Sequence, residues 1–317
     1  MTESTRTDNV LLASIVIPTW NGERFISACL HSVLEQTNLP HEIIVVDNGS
    51  TDRTVQLVRQ FGKAKLALNP TNMGFSSAIN TGLAHAHGEI LILMNQDVVA
   101  HSKWLEPIEQ CFRNDPCVGM VGSKLLYPNG NIQHAGGYLL LPSWEGVHHL
   151  DDNPHQQIDF VTGAVMAIRR DCWQSVGAFD EGFYPAYFED VDYCLRARKL
   201  GWKVSYEAES ILTHHESASR SDGLAHVANF HTQRFRLVLK HQPLDWIWST
   251  FLPNEQTRAL SGNAPEWRCG LAHVFLQSAL SLPKLRPELS TTECAQLVNR
   301  LLVMRDIAYP VYCATVS

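Results

Sequence analysis

Four apolar segments of this chain stop on polar residues that could do chemistry: Pro18-Thr19-Trp20-Asn21, Asp47-Asn48-Gly49-Ser50, Asn95-Gln96-Asp97 and Thr162-Gly163. Asp47 is suited to accept hydrogen bonds from a nucleobase or ribose. Asp97 is a hard oxygen ligand of the kind that holds Mg2+ or Mn2+ on a diphosphate. Asn72, Gly74 and Asn80 surround a helix start, whose backbone N–H groups can approach a phosphate or base. His214 and His215 close another strand ahead of Ser219 and Arg220, and one histidine can join a carboxylate and diphosphate oxygens around a metal. Glu189, Asp190 and Asp192 crowd the head of a predicted helix. The positive end of its dipole explains one or two of these acids. The aromatic, glycine-containing stretch before them, FDEGFYPAYF, reads as a pocket wall. Taken singly, a strand-end acid is more often a helix cap than a ligand contact, and paired histidines are as readily a surface loop. Several of them converging on one sheet edge make that edge the expected ligand crevice.

The elements that must position these residues alternate between strand and helix. ASIVIPTW (13–20), HEIIVVD (41–47) and EILILMNQDVV (89–99) are continuous apolar runs, as in strands buried on both faces. Between them, ERFISACLHSVLEQ (23–36) and the segment bearing Val55, Val58 and Phe61 have helical spacing, and a short strand, a loop and a small-residue helix follow over KLALNPTNMGFSSAINTGLAHAHG. The pattern predicts a parallel, doubly wound sheet with its site at the strand C-termini. After about residue 120 the rhythm shortens, with turn signals at Pro128-Asn129-Gly130 and Gly136-Gly137, and IDFVTGAVMAIRR (158–170) reads as one more buried strand. From about 222 two amphipathic helices are expected on either side of a proline-containing middle.

Composition excludes several classes. The chain has 317 residues, 45% hydrophobic and 18% charged, enough for a large α/β domain with an appendage. A net charge of −7 without like-charge blocks argues against a nucleic-acid partner. Eight scattered cysteines, none in a Cys-x-x-Cys pair, read as reduced thiols of a cytoplasmic protein. The start of the chain lacks the pattern of a signal peptide, and no apolar run is long enough to predict a spanning helix. No Gly-x-Gly-x-x-Gly follows the first strand and no Walker-type Gly-Lys-Ser/Thr occurs, which weakens a dinucleotide oxidoreductase and a P-loop enzyme.

The ordered stretches SIVIPTWNGERFISACLHSVLEQT, EIIVVDNGSTDRT, NPTNMGFSSAINTGL, ILILMNQDV, FVTGAVMAIRR, GAFDEGFYPAYFEDVDYCLRARKLGWKV and HHESASR, across residues 13–220, resemble the family-2 glycosyltransferases. They are most similar to the rhamnosyltransferase-like branch that builds bacterial surface polysaccharides. The resemblance implies an α/β GT-A type nucleotide-diphospho-sugar transferase fold, with a mostly parallel central sheet flanked by helices and a helical C-terminal extension. On this reading residues 1–12 are a tail, 13–221 the transferase domain and 222–317 the extension. It also implies a nucleotide-diphosphate sugar donor, a divalent metal (Mg2+ or Mn2+) and inversion at the anomeric carbon. The branch points to dTDP-rhamnose, with UDP-hexoses next, and to an acceptor hydroxyl on a glycan or lipid-linked glycan.

Carried over by position, Pro18, Thr19 and Glu23 resemble the first nucleotide-contacting strand end and its helix. Asp47 and Ser50 resemble the base-side contacts, and Asn72, Gly74 and Asn80 the Asn-x-Gly stretch. Asn95, Gln96 and Asp97 stand where many members carry Asp-x-Asp. The first acid is Asn95 here, so metal binding among these three rests on Asp97, and His214 falls on the metal-associated histidine. Asp190 matches the presumed base, which takes the acceptor hydroxyl's proton as that oxygen attacks, with Glu189 positioning hydroxyls beside it. Arg220 would stabilise the leaving diphosphate. Thr162, Gly163, Tyr184, Tyr187 and Phe188 would line the acceptor and sugar pocket. Asp192 is assigned to capping or arginine pairing, and Trp20 to packing. Sugar-phosphate nucleotidyltransfer, or a nucleotide-sugar-binding subunit without chemistry, are the alternatives. Trp246, Trp248, Phe251 and Leu252 could pack or form an interfacial patch, so peripheral membrane attachment and a homo-oligomer stay open.

Overall fold

The computed structural model describes residues 11–152, 157–216, 224–261 and 265–308. They fall into two compact units. The first lies within Met1–Tyr138, Val147–Pro185 and Glu189–Ala218, and the second within Leu139–Gly146, Ala186–Phe188 and Ser219–Ser317.

The first unit is built on β1 (Ala13–Thr19), β2 (His41–Asp47), β3 (Lys65–Leu68) and β4 (Ile90–Met94), all parallel in the order β3-β2-β1-β4. Every residue of β1 is buried, around the apolar run Ile15-Val16-Ile17-Pro18. The connecting helices are α1 (Ile26–Glu35), α2 (Thr54–Phe61) and α3 (Phe75–Ala84). α1 buries Ile26, Cys29, Leu30 and Val33, the i, i+3, i+4, i+7 stripe of an amphipathic helix. Thr19 is in register with Asp47, so the polar residues ending β1 and β2 finish level on one edge.

The rest of the sheet is mixed. It uses β5 (Val98–Ala100), β6 (Val118–Leu126), β7 (Ile132–His134), β10 (Val165–Arg169) and β11 (Lys203–His214), with α4 (Leu105–Asn114), α5 (Arg170–Val176) and α6 (Glu189–Lys199) alongside. Order continues from β4 through β10, β6 and β11 to β5, with β7 on β6. β8 (Gly137–Leu140) and β9 (Glu145–His148) form a separate two-stranded sheet. β10 runs antiparallel to β4 with Val165 opposite Met94, so Thr162-Gly163 at its start meets the polar end of β4. β11 runs antiparallel to β5 with His214 opposite Val98, which delivers His214 to the residue after Asp97. These two reversals bring the chemistry-bearing ends together. The sheet is parallel on one side and mixed on the other, because β10 and β5 are short returning strands rather than βαβ crossovers.

The second unit is helical: α7 (Leu224–His241), α8 (Leu244–Trp246), a π-helical turn (Ile247–Phe251), α9 (Leu252–Ser261), α10 (Pro265–Leu285) and α11 (Thr291–Ala308). The proline-containing middle is itself helical. Pro243 precedes α8 and Pro265 opens α10, where a missing N–H costs least, whereas Pro253 follows the π-helical turn within a run that is helical from Leu244 to Ser261 and Pro283 lies inside α10. Ile247, Phe251 and Leu252 are fully buried, and Trp246 packs on Trp144 and Phe251, so this stretch is mostly interior rather than an exposed aromatic patch. Among the described residues no helix is long and apolar enough to cross a membrane, and the six described cysteines are free.

Candidate active site

The first group of side chains gathers where β1, β2 and β4 end. Asp47 is 3% exposed; its Oδ2 accepts the N–H groups of Gly49 (3.2 Å) and Ser50 (3.0 Å), while its buried Oδ1 has no partner. A buried carboxylate oxygen without a donor is costly and marks a place where a ligand donor can bind. Asn72 Oδ1 accepts the N–H of Gly74 (3.0 Å) and lies near Asn48, whose amide also donates to the Gly74 carbonyl (3.0 Å). Gly74 has φ +86°, and a Cβ there would sit 2.8 Å from the Tyr184 ring, so only glycine fits under that exposed tyrosine. Pro18 lies within fully buried β1. Thr19 donates to Gln96 Oε1, which also accepts the Trp20 N–H (3.1 Å), while Gln96 Nε2 returns to the Trp20 carbonyl (3.2 Å). Gln96 thereby fixes the turn after β1. Ser50 Oγ accepts the Asn21 N–H at 2.9 Å.

The second group joins β5, β7 and β11. His214 Nε2 stands 3.2 Å from Asp97 Oδ1, both side chains nearly buried. His214 Nδ1 is 2.8 Å from Gln133 Oε1, and Gln133 Nε2 donates to Glu216 Oε2 at 2.9 Å. Two ligand atoms at this separation suit one octahedral cation, since metal–oxygen distances of about 2.1 Å put adjacent ligands about 3 Å apart. Among the described residues no group of three His, Cys, Asp or Glu gathers around a metal position. Two protein ligands completed by substrate phosphates and water is the usual arrangement for Mg2+ and its mimics. The residues present therefore fit a divalent cation.

The third group surrounds Asp190 at the head of α6. Its Oδ2 accepts the Gly163 N–H (2.8 Å) and its Oδ1 the N–H of Val191 (2.8 Å). Burial raises its pKa above the ordinary carboxylate value, against the pull of those two N–H groups and of nearby His148. A base poised upward in this way can hold a hydroxyl proton. Glu189 is buried, and Asp192, fully buried, pairs with Arg196 at 2.9 Å. Thr162 donates its backbone N–H to His134 Nε2 at 3.3 Å.

Several expected contacts are committed elsewhere. Glu23 is exposed and accepts from the backbone and side chain of Arg53. Asn80 spends its amide on Phe179 and Glu181, with its Nδ2 on the Phe179 carbonyl (3.0 Å) and its Oδ1 on the Phe179 N–H (2.9 Å); it holds the pocket-wall segment instead of facing a nucleotide. Phe188 is 5% exposed and packs on Phe230, so it offers no open stacking face, and Tyr187 bonds His226 at 3.1 Å. Both carry positive φ, +88° for Tyr187 and +66° for Phe188, a strained entry to the acidic helix. Trp20 is 48% exposed and does not pack as expected. The Asn95 backbone N–H bonds the Ala164 carbonyl, and Arg220 lies outside the described residues.

Sequence reasoning missed Gln133, Glu216, His134 and His148. His148 is open to water, yet the protein crowding its ring lowers its pKa, opposed by Asp190 and Glu216. His134, behind it at 4.6 Å between ring centres, is buried with no partner on Nδ1, and burial holds it neutral. The clustering of Gln133-His134 and His148-His149 in a chain with 15 histidines was the available signal.

Residues 14–175 match the model of Glycosyl transferase family 2, and the chain belongs to that family. It is 35% identical over 225 residues to the O-antigen biosynthesis protein RfbC of Myxococcus xanthus, covering 65% of this chain and 17% of that protein. A 33%-identical protein of Sinorhizobium fredii is likewise covered over only 25% of its length. It is 24% identical over 253 residues to the N-acetylglucosaminyl-diphospho-decaprenol L-rhamnosyltransferase of Mycobacterium tuberculosis, covering 70% of this chain and 82% of that one. Among solved structures, GalNAc-T7 with UDP, GalNAc and Mn2+ superposes with TM-score 0.60 at 18% identity, over 74% of this chain and 48% of that chain. That likeness is one of fold, a GT-A glycosyltransferase fold.

Proposed function

We propose that this chain is an inverting glycosyltransferase that moves rhamnose from dTDP-rhamnose to a hydroxyl of a glycan or lipid-linked glycan in surface-polysaccharide synthesis. The observation that carries the reading is Asp190, a carboxylate gripped by Gly163 and Val191, raised in pKa and held in the same unit as the unpartnered Oδ1 of Asp47 and the Asp97–His214 pair. The rhamnosyltransferase name of the mycobacterial relative supports the donor sugar.

Asp47 Oδ1 accepts from the base or ribose, and the backbone around Asn72 and Gly74 flanks the nucleotide, with Pro18, Thr19, Ser50, Asn95 and Gln96 shaping the strand ends beneath it. Tyr184 offers an exposed ring to the sugar. The acceptor O–H bond breaks as its oxygen bonds the anomeric carbon from the face opposite the diphosphate, and the proton passes to Asp190. Glu189 and Thr162-Gly163 orient the hydroxyls. Asp97 and His214 would hold a divalent cation, which when bound neutralises charge on the departing diphosphate; the Mn2+ of GalNAc-T7 supports that assignment. Arg220 is proposed for the same charge.

The test is a donor screen by thermal shift with Mn2+, followed by transfer assays read by mass spectrometry and by the anomeric configuration of the product. The reading expects dTDP-rhamnose to stabilise the fold, because a ligand bound only by the folded state raises its melting temperature. Stabilisation by a UDP-hexose alone would reassign the donor, and a product of retained configuration would remove the single-displacement mechanism.

A further inference from the structure

Gln133 and Glu216 form a fixed hydrogen-bond chain to His214. Glu216 is a carboxylate, so it accepts, and the Gln133 group facing it at 2.9 Å must be the amide N–H. The carbonyl end of Gln133 then faces His214 Nδ1 at 2.8 Å, which obliges Nδ1 to carry the proton. In the neutral ring Nε2 is left with a lone pair, aimed at a carboxylate oxygen of Asp97 3.2 Å away. Two acceptors at that distance repel unless a proton or a metal ion lies between them. Glu216 itself sits at φ +27°, an uncommon conformation for a non-glycine residue that the surrounding chain must impose. His214 and Gln133 are 8% and 6% exposed, so water does not readily replace the bond between them; Glu216 is exposed and anchors the outer end of the chain.

We propose that Gln133 and Glu216 are positioning residues that lock His214 in the tautomer able to bind a divalent metal together with Asp97. This rests on the metal assignment above. Without Gln133, the imidazole can move its proton to Nε2 and donate to Asp97 directly, and that bond competes with the metal. Loss of such an outer partner typically weakens metal affinity 10–100-fold.

The experiment uses the full chain with histidine labelled by 15N, at pH 8, with the His214 signals assigned by His214→Gln. In the metal-free parent, His214 is expected as the Nδ1–H tautomer, and in Gln133→Met it should shift toward Nε2–H. Mn2+ binding, read by loss of the free-ion electron paramagnetic resonance signal in the presence of dTDP, should weaken about 10–100-fold in Gln133→Met and less in Glu216→Gln. The swapped pair Gln133→Glu with Glu216→Gln keeps an acceptor on Nδ1 and a donor behind it, and should recover most of the affinity. An Nε2–H tautomer in the parent, or unchanged Mn2+ affinity in Gln133→Met, would overturn the proposal. A parent that binds no Mn2+ sinks the metal assignment separately, while the tautomer still decides the positioning role.

Discussion

Each unit of the molecule buries an acid beside a base, and the two pairs are built for opposite ends. In the helical unit, Arg234 and Glu255 are fully buried and joined by two bonds of 2.9 and 2.5 Å. Arg234 also donates to the Ser143 carbonyl and, through Nε, to His231 Nδ1 at 3.0 Å. The guanidinium is permanently charged and its donors meet acceptors, so this pair is closed. In the sheet unit, Asp97 and His214 lie at a similar depth, but the proton that would join them is held on the far side of the ring by Gln133. That pair is open to a cation. Burial and opposite formal character are common to both; what separates structural from functional is whether the partner atoms leave an acceptor unsatisfied.

The largest effect is expected at the closed pair. Arg234→Met takes both close donors from buried Glu255, leaving the Arg258 guanidinium 3.7 Å away, and is expected to cost about 3–5 kcal/mol in urea unfolding, with Arg234→Met plus Glu255→Leu recovering most of it. A single variant as stable as the parent would mean the pair is not what holds the helices. Next in size is Asp190→Asn, expected to lower turnover about 10²-fold or more while donor binding persists. Since burial raises the Asp190 pKa, parental activity should climb with pH through a limb above the ordinary carboxylate range, as the base loses its proton. A limb at the usual carboxylate value would show a solvated group instead.

The open pair is sharpened by Asp97→Asn. An amide N–H then faces the Nε2 lone pair, so the variant should melt no lower than the parent yet lose Mn2+ binding. A large fall in melting temperature would make Asp97–His214 another closed pair. The smallest effect concerns His231, whose pKa burial and the charge of Arg234 lower to about 2. The folded state therefore binds fewer protons than the unfolded chain, whose histidine titrates near about 6.5. Stability is fully present above that value and is lost as pH falls from it toward the folded pKa. Unfolding at pH 7 and pH 5 should show a steeper loss for the parent than for His231→Gln, which keeps an acceptor for Arg234 without a titrating ring. Equal slopes would place the acid sensitivity elsewhere.

The sequence by itself determined the elements whose signal is local. The seven buried residues of β1 centre on the apolar run Ile15-Val16-Ile17-Pro18, and the strand-end positions of Asp47 and Asp97 follow from where such runs stop. The family motifs marked Asp190 and His214 for the same reason, since each is a short contiguous stretch. Tertiary structure alone decided the pairings between distant segments. Gln133 reaches His214 because β7 folds back on β6 while β11 runs beside it, a register that no periodicity in IQH announces. Asn80 was drawn to Phe179, 99 residues away, and Arg234 found a buried carboxylate 21 residues on. A strand or helix is specified by neighbours along the chain, whereas the partner of a buried polar group is specified by which segments the fold excludes from water together.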